Sequence, residues 1–561
     1  MLLDTLVFLI VFLFILISIL GYGFLIGVFL KFKIENFEIG ELGLLGIFFA
    51  TFISYSTHFF FSHGIIHNLF FNIIGFSLFF FYSYKYYNYF KYNFFYLGLI
   101  IILFLPGLFI SKNHDDFPYY HLPFILNIIE HKLQFGMGHI NEAFRTPSSL
   151  FYVQSLFFLP YVKYYLIHSI SLIILIFINS ILISYIFKKN NHNINNFIKI
   201  FSIISLTFIN IQFWRIAEFG TDRAGQLISL IVFINLFLIF NIKDSEKILQ
   251  NIKILLILIF YLISIKSYFI SYIIILPFIL FIMFRRDLIK KILLDLKLIL
   301  LLGFFLIFFI ALNIFNSGCL IYPLTFTCYD NFFWSLSKES IYHFSKWYEL
   351  WSKSGAGPNF RVDNPDSYLT GLNWINGWFN RYFLVKVTDT LGLIFFICLI
   401  YFILLIFKKK FKVKITYLPI CFCIFILFLI WFFKHPDLRY GGFILLATVF
   451  FVPLSLYLSS YKVNLLKEKA VLIILFLVII SYPLRNIYRI NNEIKRTDNF
   501  KYTSFPYYHV EKIKYEEKKI KDSNTKFYLT NGWCWATPSP CSNSNILINV
   551  VNGYNFFYIK K

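Results

Sequence analysis

The stretch "HDDFPYYHLP" at 114–123 sets two adjacent carboxylates, flanking histidines and two prolines directly after an apolar run that ends at 110. A carboxylate there can take a proton from a hydroxyl or ligate a metal, and Tyr120 and His121 offer hydrogen bonds to the same partner. Helix capping accounts for one acid, because Asp is a favoured N-cap and Pro118 suits a first turn. The second acid is left over. Spacing alone does not choose between Asp115 and Asp116 as the base.

Four further short segments carry the remaining reactive groups. In "WRIAEFGTDRAGQ", Asp222 either caps the next helix or belongs to a site. In "LISIKSYFI", Lys266 stands alone between long apolar runs, which suits a buried cation paired with an anion better than a solvated turn. Arg439 and Tyr440 in "KHPDLRYGG" place a second cation at a helix mouth, and Arg145 in "HINEAFRTP" is a weaker third. His114, His121, His139 and His435 lack a metal-ligand spacing such as HExxH. Carboxylates beside cations and aromatics, next to lipid, suit a lipid-linked phosphate donor and a hydroxyl acceptor. The cations hold the phosphate, and a carboxylate takes the acceptor's proton as the new bond forms. Asp116 and Asp222 are also the pair that would hold a divalent ion, magnesium or manganese.

The elements that position these groups are membrane helices. The chain has 561 residues, 59% hydrophobic and 14% charged, with mean hydropathy +0.71, values of an all-α polytopic membrane protein. Fourteen apolar runs are long enough to span: 2–30, 42–62, 65–84, 94–111, 161–187, 198–213, 224–242, 252–265, 267–284, 296–315, 388–407, 415–433, 441–460 and 470–484. The first is too long and too apolar for a cleaved signal peptide and is expected to stay as a helix.

The net charge of +23 is distributed by side. Every second link (31–41, 85–93, 188–199, 243–253, 285–297, 408–414 and 462–469) holds 23 Lys and Arg in total, whereas the intervening links at 63–67, 112–160, 214–223, 266 and 434–440 hold 8. By the positive-inside rule the first set faces the cytoplasm. Both termini, and every segment quoted above, then face outward. The basic excess therefore reports topology, and no nucleic-acid partner is expected. Cys398, Cys421 and Cys423 fall inside spans, while Cys319 with Cys328 and Cys534 with Cys541 form two local outward pairs. Disulfides suit an oxidising compartment, and a metal site is the rival reading. Five of the nine tryptophans lie in 316–387, where an interfacial belt competes with sugar stacking. In "LPFILNIIEHKL", Leu122, Ile125, Leu126, Ile129 and Leu133 repeat at helical spacing, which predicts a helix lying on the membrane surface.

In their order and shared side these motifs resemble the GT-C glycosyltransferases, the class that includes protein O-mannosyltransferases and the lipid A aminoarabinose transferase. "DFPYYH" is similar to the acidic motif of that class's first outer loop, and "GTDRAG" to its second acid. Lys266 in "SIKS" is similar to the lysine after a short helix, with Ser267 where glycine is usual, and Arg439-Tyr440 to the Arg-Tyr pair opening a late helix. The resemblance implies a membrane glycosyltransferase that moves a sugar from a polyprenyl-phosphate donor to a glycan, lipid or protein acceptor with inversion. It implies Asp116 as base, Asp115 and Asp222 as supporting acids or metal ligands, and Lys266 and Arg439 on the donor phosphate. Tyr120, His121, Tyr440 and Arg145 would line the substrate. The implied location is a bacterial inner or plasma membrane, with the site on its extracytoplasmic face.

The resemblance covers 94–484. It leaves three additional N-terminal helices in 1–93, and a small soluble outward tail at 485–561, expected to be disulfide-pinned. Within the core, 112–160 and 316–387 are the large outer loops. An O-antigen-type polymerase or ligase would rely on outer arginines and a large loop without needing Asp116. A transporter or flippase of lipid-linked glycans would place charges at mid-membrane.

Overall fold

A computed structural model of the chain describes residues 2–111, 114–188, 195–218, 220–357, 362–406, 417–461, 469–495, 506–519 and 526–559. Its principal helices are α1 (Leu2–Phe29), α2 (Ile39–His58), α3 (Ile65–Lys85), α4 (Tyr87–Phe104), α5 (Leu122–Glu130), α6 (Ile170–Phe187), α7 (Asn196–Gln212) and α8 (Asp222–Asn241). They continue with α9 (Ser245–Ile265), α10 (Leu276–Arg285), α11 (Leu296–Ser317), α12 (Lys338–Lys353), α13 (Thr388–Ile406), α14 (Leu418–Lys434), α15 (Gly442–Ser459) and α16 (Lys469–Lys495). Twelve helical segments among the described residues are long and apolar enough to cross a membrane, and α7 and α14, of 17 residues each, are shorter apolar helices. The protein is an all-α, multi-pass integral membrane protein. Among the described residues, each of the fourteen apolar runs contains a helix.

Between helices in lipid, van der Waals packing replaces the hydrophobic drive, so small residues let backbones approach. A Cβ on Gly21 of α1 would lie 1.8 Å from the carbonyl oxygen of Gly75 in α3, and one on Gly46 of α2 would lie 2.0 Å from that of Ile19 in α1. The first three helices are therefore locked as a unit. Through Gly40, whose Cβ would meet the Phe177 carbonyl at 2.2 Å, α2 is also seated on α6.

The links separate into two ends. At one, Lys33 pairs with Glu246, Lys188 with Glu38 and Lys253 with Asp295, and Lys297 donates to the Phe29 carbonyl at 3.0 Å. These are links of the lysine-rich set. At the other end Asp116, Asp222, Lys266 and Arg439 meet.

The tail folds back onto that second end. Strand β1 (Tyr515–Lys519) pairs antiparallel with β2 (Lys526–Thr530), which runs parallel to the short β3 (Cys541–Ser542), and β4 (Leu547–Val551) forms a hairpin with β5 (Tyr554–Tyr558). Disulfides join Cys534 to Cys541 and Cys319 to Cys328. The Phe135 N–H donates to the Asn555 carbonyl and the Phe557 N–H to the Phe135 carbonyl, both at 2.9 Å.

This docking alters the expectation for 122–133. The helix α5 has nine residues, and Leu122 to Ile129 are all buried, Asn127 included. Its polar side faces protein: the Asn127 amide donates to Gln134 at 2.8 Å, and Glu130 accepts from the Ser539 N–H at 2.7 Å. The amphipathic pattern is real, but its polar side meets the tail, where headgroups were expected.

Candidate functional site

The segment after α4 enters the site through a π-helical turn, Phe117–His121, placed immediately before α5. Single π turns widen the helix and re-aim side chains, and they concentrate at functional sites. Asp116 occupies the capping position, yet its carboxylate makes no capping hydrogen bond. It pairs with the Arg439 guanidinium and lies 3.2 Å from Nδ1 of His114. That same Nδ1 is 3.1 Å from the Asp116 N–H, so it accepts from the amide when neutral and donates to the carboxylate when protonated. Burial opposes ionisation of Asp116, but His114 and the Arg439 charge outweigh it and hold this carboxyl far below the usual carboxylate range. Asp115 is exposed. Geometry thus separates the two acids that spacing could not.

Asp222 lies in the first turn of α8, with Thr221 as the capping residue. Its side chain is 4% exposed, and each carboxylate oxygen has its own cation, Lys266 on Oδ1 and Arg439 Nε on Oδ2. These five residues form one chain of charge, His114–Asp116–Arg439–Asp222–Lys266. A buried carboxylate of this kind needs compensation of this kind. Lys266 also lies over the Tyr440 ring at 4.7 Å, and Tyr440 packs near Tyr268 and Trp351 with ring centroids 6.1 and 6.2 Å away. Burial opposes the Arg439 charge as well, but Asp222 and Asp116 outweigh it and raise its pKa, keeping it cationic.

Arg439 is aimed by residues to which the sequence motifs assign no role. It sits in a single helical turn, Leu438–Tyr440, capped by Asp437, whose carboxylate accepts the Arg439 N–H at 2.9 Å and the Tyr382 hydroxyl. One turn into α8, the Gln226 amide donates to the carbonyls of Leu438 and Arg439 at 3.2 and 3.0 Å and accepts the Ile444 N–H at 3.3 Å. Gly441 then takes φ +92°, and a Cβ there would meet the Tyr268 ring at 3.0 Å. Asp437, Gln226 and Tyr382 therefore position the guanidinium.

His121 is buried against Gly220, where a Cβ would come within 2.6 Å of its ring. Burial lowers its pKa to about 3, so it is neutral, and its Nε2 has no protein partner. It borders a cavity of about 20 Å³ shared with His114, Gln154, His168 and Glu218, large enough for one water. Tyr120 packs edge-on to His121 at 4.3 Å. Behind them a second ion network supports the segment: Glu218 pairs with Arg215 and, at 3.3 Å, with Arg489, and its carbonyl accepts the His114 N–H at 3.2 Å.

Arg145 is not in the cluster. Its Nε donates to the Gly138 carbonyl at 3.2 Å and its guanidinium lies 4.9 Å from the Phe344 ring, which gives it a role in packing the outer loop. As for a metal, no cluster of three His, Cys, Asp or Glu is present among the described residues. In this arrangement each oxygen of Asp222 already faces a cation, and a divalent ion between Asp116 and Asp222 would compete with Arg439 for the same place.

No curated protein and no solved structure matches the chain. The family described as a domain of unknown function, DUF8201, matches residues 5–446, a stretch that starts in α1, contains Asp116, Asp222, Lys266 and Arg439, and ends before the tail. With well over half of its length inside that match, the chain belongs to the DUF8201 family.

Proposed function

We propose that the protein is a membrane glycosyltransferase of GT-C type, which transfers a sugar from a polyprenyl-phosphate donor to a hydroxyl of a glycan, lipid or protein acceptor. The observation that carries this reading is the convergence of two carboxylates and two cations from four separate links, with Arg439 bridging Asp116 and Asp222. Arg439 gives Nε and Nη2 to the carboxylates. A guanidinium has five N–H donors and an ammonium three. Donors on both cations therefore remain for a phosphate.

In the reaction, the acceptor oxygen attacks the anomeric carbon as the bond from that carbon to the phosphate oxygen breaks. The electron pair leaves with the lipid phosphate, and the acceptor proton passes to Asp116. Displacement from the opposite face inverts the anomeric centre. Arg439 and Lys266 hold the departing charge. Without donor, Asp116 is a weak base because Arg439 is bound to it. A phosphate that draws Arg439 toward itself loosens that pair and raises the basicity of Asp116, so base activation follows donor binding. Chemistry of this kind suits a site on the extracytoplasmic face of a bacterial inner membrane, and the lysine distribution supports that orientation.

A donor-transfer assay tests the reading. Protein in vesicles is given a radiolabelled polyprenyl-phosphate sugar, and Arg439→Lys and Lys266→Met are compared with wild type. Each is expected to raise the donor KM or lower kcat by roughly tenfold or more, one broken charge-assisted contact being on the order of 1.4 kcal/mol or above. Unchanged kinetics in both variants contradict the assignment. Residual transfer in EDTA separates this arrangement from one in which magnesium or manganese takes the place of Arg439.

A further inference from the structure

A second and larger cavity, about 580 Å³, opens beside the α2–α3 link, bounded by the chain after α5 and by the tail hairpin. Two of its walls belong to the regions that the GT-C resemblance leaves without a role, 1–93 and 485–561, and the third, Glu130 to Gln134, to the outer loop 112–160. Phe60 and Phe61 on the α2–α3 link are 68% and 63% exposed and present flat apolar faces. Tyr554, from the hairpin, stands opposite with the Lys132 ammonium 4.0 Å over its ring. Gln134 is 4% exposed, and its amide oxygen is taken by Asn127 while its amide nitrogen donates to nothing in the protein. Glu130 lines the same cleft.

These groups suit a neutral, polyhydroxylated ligand. Burial pushes Glu130 up to about 7, and the one ammonium already lies over an aromatic ring, so the cleft lacks the convergent cations that a phosphate demands. Aromatic faces cover the apolar C–H face of a sugar ring, while an amide donor and a carboxylate acceptor satisfy its hydroxyls. The cleft also has a fixed relation to the first site. Glu130 ends α5, and Asp116 immediately precedes the turn that leads into it. The helical rise places the two on the order of 20 Å apart, the reach of several sugar rings.

We propose that this cleft binds the acceptor as a neutral oligosaccharide, holding sugars several rings away from the hydroxyl that reacts at Asp116. This rests on reading the Asp116 cluster as a glycosyl-transfer site. The test uses the full chain in nanodiscs. Oligosaccharides released by mild acid from the envelope of the producing organism are tagged with aminobenzamide and incubated with it, and retained glycans are counted against empty nanodiscs. Wild type is expected to retain them. Gln134→Leu and Ser62→Trp, the latter filling the rim from a half-buried link position, are expected to reduce retention about tenfold, as loss of roughly 1.4 kcal/mol requires. Asp116→Asn is expected to retain them at the wild-type level while losing transfer.

If Gln134→Leu does not fold, Ser62→Trp carries the test alone. No retention by wild type, or equal retention in the cleft variants, overturns the proposal. So does a co-purifying phospholipid that both cleft variants lose, which would assign the cleft to a lipid headgroup. Retention that depends on the cleft, together with full transfer by Asp116→Asn, sustains the glycan site and removes the reading of Asp116 as base.

Discussion

Asp115 and Asp116 are chemically identical neighbours with opposite surroundings. Asp116 is held by Arg439 and His114, while Asp115 faces solvent. Asp115→Asn is therefore expected to leave transfer within about twofold of wild type, measured as kcat/KM, since surface substitutions away from a site have small effects. The Arg439 pairing also sets a pH dependence. A carboxyl whose pKa is depressed on folding contributes stability at neutral pH, and loses that contribution only as pH falls through the folded value. Because Asp116 lies far below its ordinary range without donor, the wild-type kcat/KM, which reports the free enzyme, is expected to show no acid limb from Asp116 above about pH 5. Arg439→Gln removes the charge that lowers it, so its acid limb should move upward in a pH–rate profile. The sequence exposed the acids and cations because each stands out against apolar surroundings. It did not expose the choice between adjacent acids, which depends on where a residue more than three hundred positions away comes to rest. Arg145 lies outside the cluster for the same kind of reason: an isolated arginine has the same local signature whether it meets Asp116 or, as here, Glu142 at 3.7 Å, a backbone carbonyl and a phenyl ring.

Among the elements, the turn bearing Arg439 depends on its neighbours more than on its own sequence. Gly441 has φ +92° and no room for a Cβ beside Tyr268. Gly441→Ala is expected to destabilise the protein by about 1–2 kcal/mol, the penalty of a left-handed backbone for an L residue. It should also weaken donor binding by displacing the guanidinium, readable as a lower Tm together with a higher donor KM. The apolar runs disclosed the helices well, since length and hydropathy suffice where lipid is the solvent. They said less about α5. Its amphipathic spacing was legible, but periodicity reports only that one side is polar, and Glu130 and Asn127 turn to the tail and to Gln134. Gln226 and Asp437 read as ordinary helix and link residues. Their hydrogen bonds to the Arg439 turn arise from packing, which no local pattern records.

For the whole molecule, alternation of lysine-rich and lysine-poor links is the feature that orients everything else. The two sets gather at opposite ends of the fold. Single cysteines introduced at Ser62 and at Lys290 should therefore differ in intact cells: a membrane-impermeant maleimide is expected to label the first and not the second. Reversed labelling would place the site on the cytoplasmic face, away from the face on which the proposed donor is used. On the proposed reading, Asp116 removes the acceptor proton in a site assembled from four separate links. The most direct measurement is sugar transfer from a polyprenyl-phosphate donor by the full-length protein in vesicles, comparing Asp116→Asn with wild type at matched folding and donor affinity. The account predicts a fall in kcat of roughly 100- to 10,000-fold, the range of a lost general base. A kcat for Asp116→Asn equal to that of wild type would contradict it.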